Sequence, residues 1–72
     1  MNDFKKIIDV LKNYLAQDST RKILDKDIAN LLEINQARFA TLKKRNVLPY
    51  LELLLFCKEN SYEPLELFFD AL

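Results

Sequence analysis

The chain has 72 residues, half of them apolar, and its 11 acidic side chains balance its 11 basic ones. This length fits one domain, near the lower size limit for a single hydrophobic core. Glycine is absent, which argues against primed-turn hairpins, phosphate-cradling loops and dinucleotide fingerprints, because all three need glycine for backbone reasons. The composition favours an all-helical domain.

The cysteine content and the first residues bear on compartment. Cys57 is the only cysteine, so an internal disulfide or a cysteine metal cluster is not possible and a reducing cytoplasm fits. The opening segment MNDFKKIIDVLKNYL places charges among its apolar residues, unlike a signal peptide, and no run reaches the apolar length of a membrane span. We therefore expect a cytoplasmic protein without a membrane partner.

The charges are unevenly distributed along the chain. Residues 1–33 carry six positive and six negative side chains, residues 34–50 carry four positive and none negative, and residues 51–72 carry one positive and five negative. A basic middle beside an acidic end can orient a domain on a polyanion. The simpler interpretation is that a short basic run is only solvated.

Two helices are predicted in the first half of the chain. The first shows the apolar spacing of one helix face and should run to about Gln17, with Asn2 or Asp3 as its cap and a break at residues 18–20. Its apolar positions are Phe4, Ile7, Ile8, Leu11 and Leu15. Asp25 is the predicted N-cap of a short second helix that ends near Leu32, with Asp27 in its first turn.

Three more helices are predicted in the second half. Asn35 caps a helix over about 36–44, and Asn46 is a plausible left-handed terminator. Pro49 suits the first turn of a helix over about 49–59, which residues 60–61 break. Pro64 opens the last helix. Its expected apolar face consists of Leu65, Phe68, Phe69 and Leu72. The predicted architecture is thus five short helices.

The second and third helices are close enough in sequence to form a helix-turn-helix unit. A connection of about three residues forces two helices to cross steeply. The inward positions of the unit are Ile28, Ala29, Leu32, Ile34, Phe39 and Leu42. With Phe39 and Leu42 inside, the outward residues are Gln36, Ala37, Ala40, Thr41 and Lys44, with Arg38 on the shoulder.

This outward set has the chemistry of a DNA recognition helix. Gln pairs bidentately with adenine, Arg with guanine, and Ala or the Thr methyl contacts the thymine methyl. The predicted base-contacting residues are Gln36, Ala37, Arg38 and Thr41. The alternative is an ordinary solvent-exposed helix face, which any helical bundle needs.

The sequence resembles the DNA-binding domain of bacteriophage CI-type repressors, within the lambda-repressor-like helix-turn-helix proteins. The matching segments are DKDIANLLEI, NQARFATLKKRN and VLPYLELLLFCKEN, and the resemblance spans about residues 23–69 and includes the KKRN-x-x-P segment. It implies a compact five-helix fold and a bacterial or phage transcriptional regulator associated with the nucleoid. The implied partner is operator DNA, which is usually bound by a dimer. No small-molecule ligand is evident from the sequence.

The expected phosphate contacts lie at the start of the second helix and the end of the third. They are Lys26, Lys43, Lys44, Arg45 and Asn46. Lysine ammonium groups act as point charges, which suits the DNA backbone more than base edges. Basic residues are also favourable at a helix C-terminus without any ligand, and this explanation is compatible with phosphate binding.

Two features depart from the family pattern. The turn position that is usually glycine is Glu33, and a left-handed conformation there costs about 1 kcal/mol, so the turn is strained or differently shaped. Repressors of this type often carry a C-terminal serine-peptidase domain, which these residues do not supply. The chain is either a DNA-binding fragment or a small stand-alone regulator.

The last two helices carry more apolar residues than one core face requires. Four of them are assigned to the core: Leu53, Leu54, Phe56 and Cys57. Leu51 and Leu55 lie four residues apart on another face of the same helix. A contact between subunits is the more specific explanation for leucines at these positions. Phe68, Phe69 and Leu72 form a second candidate dimer surface, although in so small a domain they can also close the core.

Catalysis, cofactors and metals are not expected. Cys57 lacks a histidine to activate it and is interpreted as a small core hydrophobe. The pairs Asp25/Asp27 and Glu63/Glu66 are explained by helix capping and the helix dipole. The first hypothesis is a sequence-specific repressor on a palindromic operator. The second is a helical protein-interaction module that uses its Leu/Phe-rich C-terminal half.

Overall fold

The computed structural model describes residues 3–17 and 20–71 and contains five α-helices over those ranges. They are α1 (Phe4–Ala16), α2 (Asp25–Leu31), α3 (Gln36–Arg45), α4 (Tyr50–Glu59) and α5 (Pro64–Asp70). The domain measures 29 × 27 × 21 Å, which confirms the prediction of a compact all-α fold. Within the described ranges, no helix has the length and apolar character needed to cross a lipid bilayer.

Several predicted helix starts are confirmed by side-chain caps. The carboxylate of Asp3 accepts the Lys6 N–H at 2.8 Å, and the amide oxygen of Asn35 accepts the Arg38 N–H at 2.7 Å. Pro49 was predicted to lie in the first turn of α4, but it is the N-cap residue that precedes the helix. Pro64 is the first residue of α5, as predicted. The alternative cap Asn2, the break at Asp18 and Ser19, and Leu72 lie outside the described residues.

The predicted cap of the second helix is wrong. Asp25 is the first residue of α2, and the N-cap position belongs to Leu24, whose side chain cannot accept a hydrogen bond. The carboxylate of Asp27 instead reaches back and accepts the Leu24 N–H at 2.8 Å. The same carboxylate receives both Arg21 Nη1 and Nη2 at 3.0 Å. Asp27 therefore secures the start of α2 and leaves Asp25 available for other partners.

Three helices end in the same Schellman arrangement without glycine. Each is followed by a residue in the left-handed conformation. The residue after that one donates its N–H to the carbonyl five positions before it in the sequence, at 2.9 Å. The left-handed residues are Glu33 (φ 57°), Asn46 (φ 56°) and Ser61 (φ 53°), and the bonds are Ile34 to Ala29, Val47 to Leu42 and Tyr62 to Cys57. The left-handed conformation expected at Asn46 is thus confirmed, and of the two alternatives for Glu33 the residue adopts the left-handed one.

One apolar core joins all five helices. Its buried members are Phe4, Ile7, Ile8, Leu11, Ile23, Ile28, Ala29, Leu32, Ile34, Phe39, Leu53, Phe56, Cys57, Leu67 and Ala71. The predicted inward residues of the α2–α3 unit all belong to this core or pack against it, since Leu42 is half-buried. Cys57 is buried as expected, and loss of hydration raises the pKa of its thiol.

One residue assigned to the core, Leu54, is exposed instead, and so are two residues of the apolar face expected for α5, Leu65 and Phe69. Leu54 is 46% exposed because Leu53, Phe56 and Cys57 already fill the inner face of α4, and successive helical residues point about 100° apart. Leu65 and Phe69 are 76% and 74% exposed. The inner face of α5, which packs against α1, is formed by Leu67 and Ala71, with Phe68 beside them.

Glu33→Gly should stabilise the fold, because glycine adopts the left-handed conformation without a Cβ penalty. We expect the free energy of unfolding to rise by about 1 kcal/mol, or the melting temperature by about 4–8 °C. Thermal unfolding followed by circular dichroism measures the change. Lys58→Gly in α4 is the matched control and should lower stability. A melting temperature for Glu33→Gly at or below that of the wild type would contradict the strain at Glu33.

Asp27 should make stability depend on pH in acid. Its hydrogen bonds from Arg21 and from the Leu24 N–H lower its pKa from 3.8 to about 2. The folded state holds this proton more weakly than the unfolded chain does, so the stabilisation is present above about pH 3.8 and is lost as the pH falls toward 2.

Asp27→Asn keeps an oxygen for the Leu24 N–H but removes the charge. We expect a lower melting temperature than wild type at pH 7 and a flatter decline between pH 4 and pH 2, measured by circular dichroism over that interval. Asp9→Asn, at an exposed position of α1, is the control and should retain the wild-type slope. Identical slopes for Asp27→Asn and wild type would rule out this role.

Candidate nucleic-acid interface

The orientation of α3 is set by one aromatic side chain. Phe39 is the only residue of this helix that is buried. Its ring packs edge-on against the ring of Phe4 in α1, with centroids 5.3 Å apart and an interplanar angle of 62°. Because Phe39 must point into the core, the residues on the opposite side of α3 must point to solvent.

Asn46 fixes the far end of the same helix. Its side-chain oxygen accepts the N–H of Phe4 at 2.8 Å, joining the end of α3 to the first residue of α1 across 42 positions of sequence. This N–H lies in the first turn of α1, where no carbonyl of the helix can accept it. Asn46 was predicted to contact phosphate, and the structure gives its oxygen an internal partner.

The residues predicted to contact bases lie together on the exposed side of α3. Gln36, Ala37, Arg38 and Thr41 are all exposed, as are Ala40, Lys44 and Arg45. The hydroxyl of Thr41 donates to the Ala37 carbonyl one turn earlier at 3.1 Å, so this hydrogen is already engaged within the helix. The side chains exposed between the charged residues are the small ones of Ala37, Ala40 and Thr41. Small side chains permit close approach of another molecule.

Arg38 marks the edge of this surface that adjoins α4. Its Nη1 lies 2.5 Å from a carboxylate oxygen of Glu52. Hydrogen bonding from Arg38 is the main cause that lowers the pKa of Glu52, so the carboxylate is charged at neutral pH. The guanidinium has five N–H donors, and half of the Arg38 side chain remains exposed. The sequence pattern gave no signal for this partner, since the two residues lie on different helices.

Asp25 marks the opposite edge and links three helices. Its carboxylate lies 2.7 Å from Lys12 Nζ of α1 and 2.5 Å from Lys43 Nζ of α3. These two hydrogen bonds, from Lys12 first and Lys43 second, lower the pKa of Asp25. Lys43 was predicted to contact phosphate, and the structure instead places its ammonium group on a carboxylate.

A cleft of about 370 Å³ lies between α1, α2 and α3. It brings together three of the predicted phosphate contacts, Lys26, Lys43 and Lys44, with the predicted base contact Gln36. Arg45 and Asn46 do not line it. The full lining is Lys5, Asp25, Lys26, Ala29, Gln36, Phe39, Ala40, Lys43 and Lys44. Lys5 was missed from the sequence because only the packing of α1 against α3 brings it there.

The candidate subunit surfaces differ in exposure. Leu51 is 67% and Leu55 45% exposed on α4, in agreement with their assignment to an outer face. Phe68 packs against the core, and its ring centroid lies 6.0 Å from that of Tyr50. Phe69 is exposed, and Leu72 lies outside the described residues. The exposed apolar surface is therefore centred on α4 and the outer side of α5.

Comparison with protein-family models, with curated proteins and with solved structures gives no match for this chain.

Asn46→Ala should be destabilising by about 1–3 kcal/mol, because it leaves the Phe4 N–H without an acceptor and puts a less suitable residue in the left-handed conformation. Chemical denaturation followed by circular dichroism measures the loss. Asn46→Gly removes the acceptor but suits the backbone, and Asn46→Asp keeps an acceptor oxygen.

The three variants separate the two causes. The hydrogen bond predicts that Asn46→Asp is the most stable of the three, whereas backbone conformation alone predicts that Asn46→Gly is. A stability of Asn46→Ala equal to wild type would show that neither cause matters.

Proposed function

We propose that this protein is a sequence-specific DNA-binding transcriptional regulator of the repressor type. In this proposal α2 and α3 form a helix-turn-helix within a lambda-repressor-like domain, and α3 enters the major groove. The observation that carries the proposal is the exposed side of α3, where Gln36, Arg38 and Thr41 surround the small residues Ala37 and Ala40.

The chemistry of this surface suits base edges. Gln36 offers a paired donor and acceptor for adenine, and Arg38 offers donors for guanine. The Thr41 hydroxyl donates its hydrogen to the Ala37 carbonyl. The methyl group of Thr41 would then contact a thymine methyl. The small side chains of Ala37 and Ala40 allow the helix axis to approach the groove floor.

The charges near α3 suit the DNA backbone. Lys26, Lys44 and Arg45 are exposed and form no ion pair with other described residues. They flank the outer surface of α3 and would neutralise phosphates on either side of the groove, releasing counterions. Asn46 contributes by fixing the end of α3, and Lys43 is the weakest member of the predicted phosphate set because Asp25 holds it.

A homodimer completes the proposal. Two copies related by a twofold axis would place their α3 helices in successive major grooves, about 34 Å apart, on a palindromic site. The exposed leucines of α4, Leu51 and Leu55, with Phe69 of α5, form the candidate contact between subunits.

Arg38→Ala and Lys44→Ala should weaken DNA binding in different ways. Fluorescence anisotropy with a duplex chosen from a randomised pool, and with an unrelated duplex, measures both variants at several salt concentrations. Lys44→Ala should lower affinity for both duplexes. It should also reduce the slope of log K against log salt by about one, because one fewer counterion is released. Arg38→Ala should lower the ratio of the two affinities, by about 1–3 kcal/mol of discrimination.

Lys58→Ala, at an exposed position near the end of α4, is the matched control and should bind as the wild type does. Failure of the folded wild-type protein to bind any member of the pool at low salt would overturn the proposal. Equal effects of Arg38→Ala on both duplexes would leave a DNA-binding protein without the proposed base contact.

A second candidate is a helical protein-interaction module. It is favoured by the large exposed apolar side chains of the C-terminal half, among them Leu51 and Leu54 of α4 and Leu65 and Phe69 of α5. Exposed apolar patches of this kind commonly mark interfaces. This candidate predicts that the anisotropy titration gives no sequence preference and that Arg38→Ala and Lys44→Ala leave partner binding intact.

A further inference from the structure

The cleft between α1, α2 and α3 has a charged rim with an apolar floor. Lys5, Lys26 and Lys44 come from three different helices and meet at this cleft. The apolar part is supplied by Ala29, Phe39 and Ala40. Its volume of about 370 Å³ is in the lower part of the range for cavities that hold small ligands.

The lysines of the rim differ in whether they already have a counter-charge. Lys43 donates to Asp25 at 2.5 Å, and the lowered pKa of Asp25 keeps this carboxylate ionised at neutral pH. Lys5, Lys26 and Lys44 form no ion pair among the described residues. The cleft therefore presents three ammonium groups that have no ion-pair partner among the described residues, together with Lys43, whose carboxylate partner Asp25 is shared with Lys12.

We propose that this cleft binds one sugar–phosphate unit of a DNA strand. The phosphodiester would lie against the ammonium groups of Lys5, Lys26 and Lys44, and the apolar face of the deoxyribose would lie against the exposed side chain of Ala40, beneath which Ala29 is buried. An alternation of charged phosphate and apolar sugar matches a basic rim over an apolar floor. The inference takes the identity of its ligand, DNA, from the proposed function.

The proposal adds Lys5 to the binding surface, because Lys5 lies on α1 and was not part of the predicted phosphate set. It also assigns a role to Asp25. By holding Lys43, this carboxylate limits how many cations of the cleft are available to the strand. Gln36 and Ala40 belong both to the cleft lining and to the exposed side of α3, so a strand in the cleft would run alongside a helix in the groove.

The first experiment compares Lys5→Ala with Lys6→Ala, its neighbour on α1, which is exposed but does not line the cleft. Anisotropy with a duplex gives the slope of log K against log salt. Lys5→Ala should reduce the slope by about 0.9 and weaken binding at low salt, whereas Lys6→Ala should leave both unchanged. Equal slopes for the two variants, with intact DNA binding, would overturn the inference and leave the proposed function standing.

The second experiment uses a ligand without bases, a short abasic deoxyribose–phosphate oligomer, with inorganic phosphate as the comparison. Amide chemical shifts of the ¹⁵N-labelled protein should change at Ala29, Ala40 and Lys44 with the oligomer, and less with inorganic phosphate at equal charge. Equal responses would show a simple anion site, and no response at the cleft would also overturn the inference. A response to the oligomer by a protein that binds no duplex would support the cleft and reject the proposed operator-binding function.

Discussion

The contact between Phe4 and Phe39 is the constraint on which the rest of the surface depends. Phe39 is the only buried side chain of α3, so its packing against Phe4 sets the rotation of the helix about its own axis. Asn46 holds the other end of α3 by accepting the Phe4 N–H. The same residue of α1 thus orients both the middle and the end of α3, and it does so through one apolar contact and one hydrogen bond. Which residues face solvent follows from these two interactions.

Carboxylates on neighbouring helices restrain the basic segment of α3. Glu52 holds Arg38 on the α4 side, and Asp25 holds Lys43 on the α2 side. Of the four cations in residues 34–50, only Lys44 and Arg45 have no ion-pair partner among the described residues. These exposed pairs contribute little to stability, but they direct two long side chains to opposite edges of α3. In the proposed complex, this arrangement favours defined contacts over uniform attraction to a polyanion.

Local signals in the sequence were sufficient to predict where the helices lie, but not which residues of different helices contact one another. The caps at Asp3 and Asn35 and the left-handed residue Asn46 follow from short-range hydrogen bonding, and they were predicted correctly, whereas for Glu33 the sequence left a strained turn and a differently shaped turn both open. The predicted N-cap of α2, Asp25, was wrong because two acidic residues compete at this helix start. Only Asp27 has the spacing that lets its carboxylate accept the Leu24 N–H. The exposure of Leu54 could not be inferred, because an apolar-rich helix gives no unique inner face, and for Phe69 the sequence left a subunit surface and closure of the core both open. Lys5, Asp25 and Glu52 join the site through packing between helices, which periodicity does not encode.

The central claim is that the exposed side of α3 discriminates between DNA sequences, and enrichment from a randomised duplex pool tests it most directly. The pool is bound by wild-type protein and, in parallel, by Arg38→Ala. Wild-type protein should enrich a site with two related halves, centred about one helical turn apart, and Arg38→Ala should lose preference at one position of each half. An unenriched wild-type pool, or identical enriched sites for both proteins, would contradict this claim.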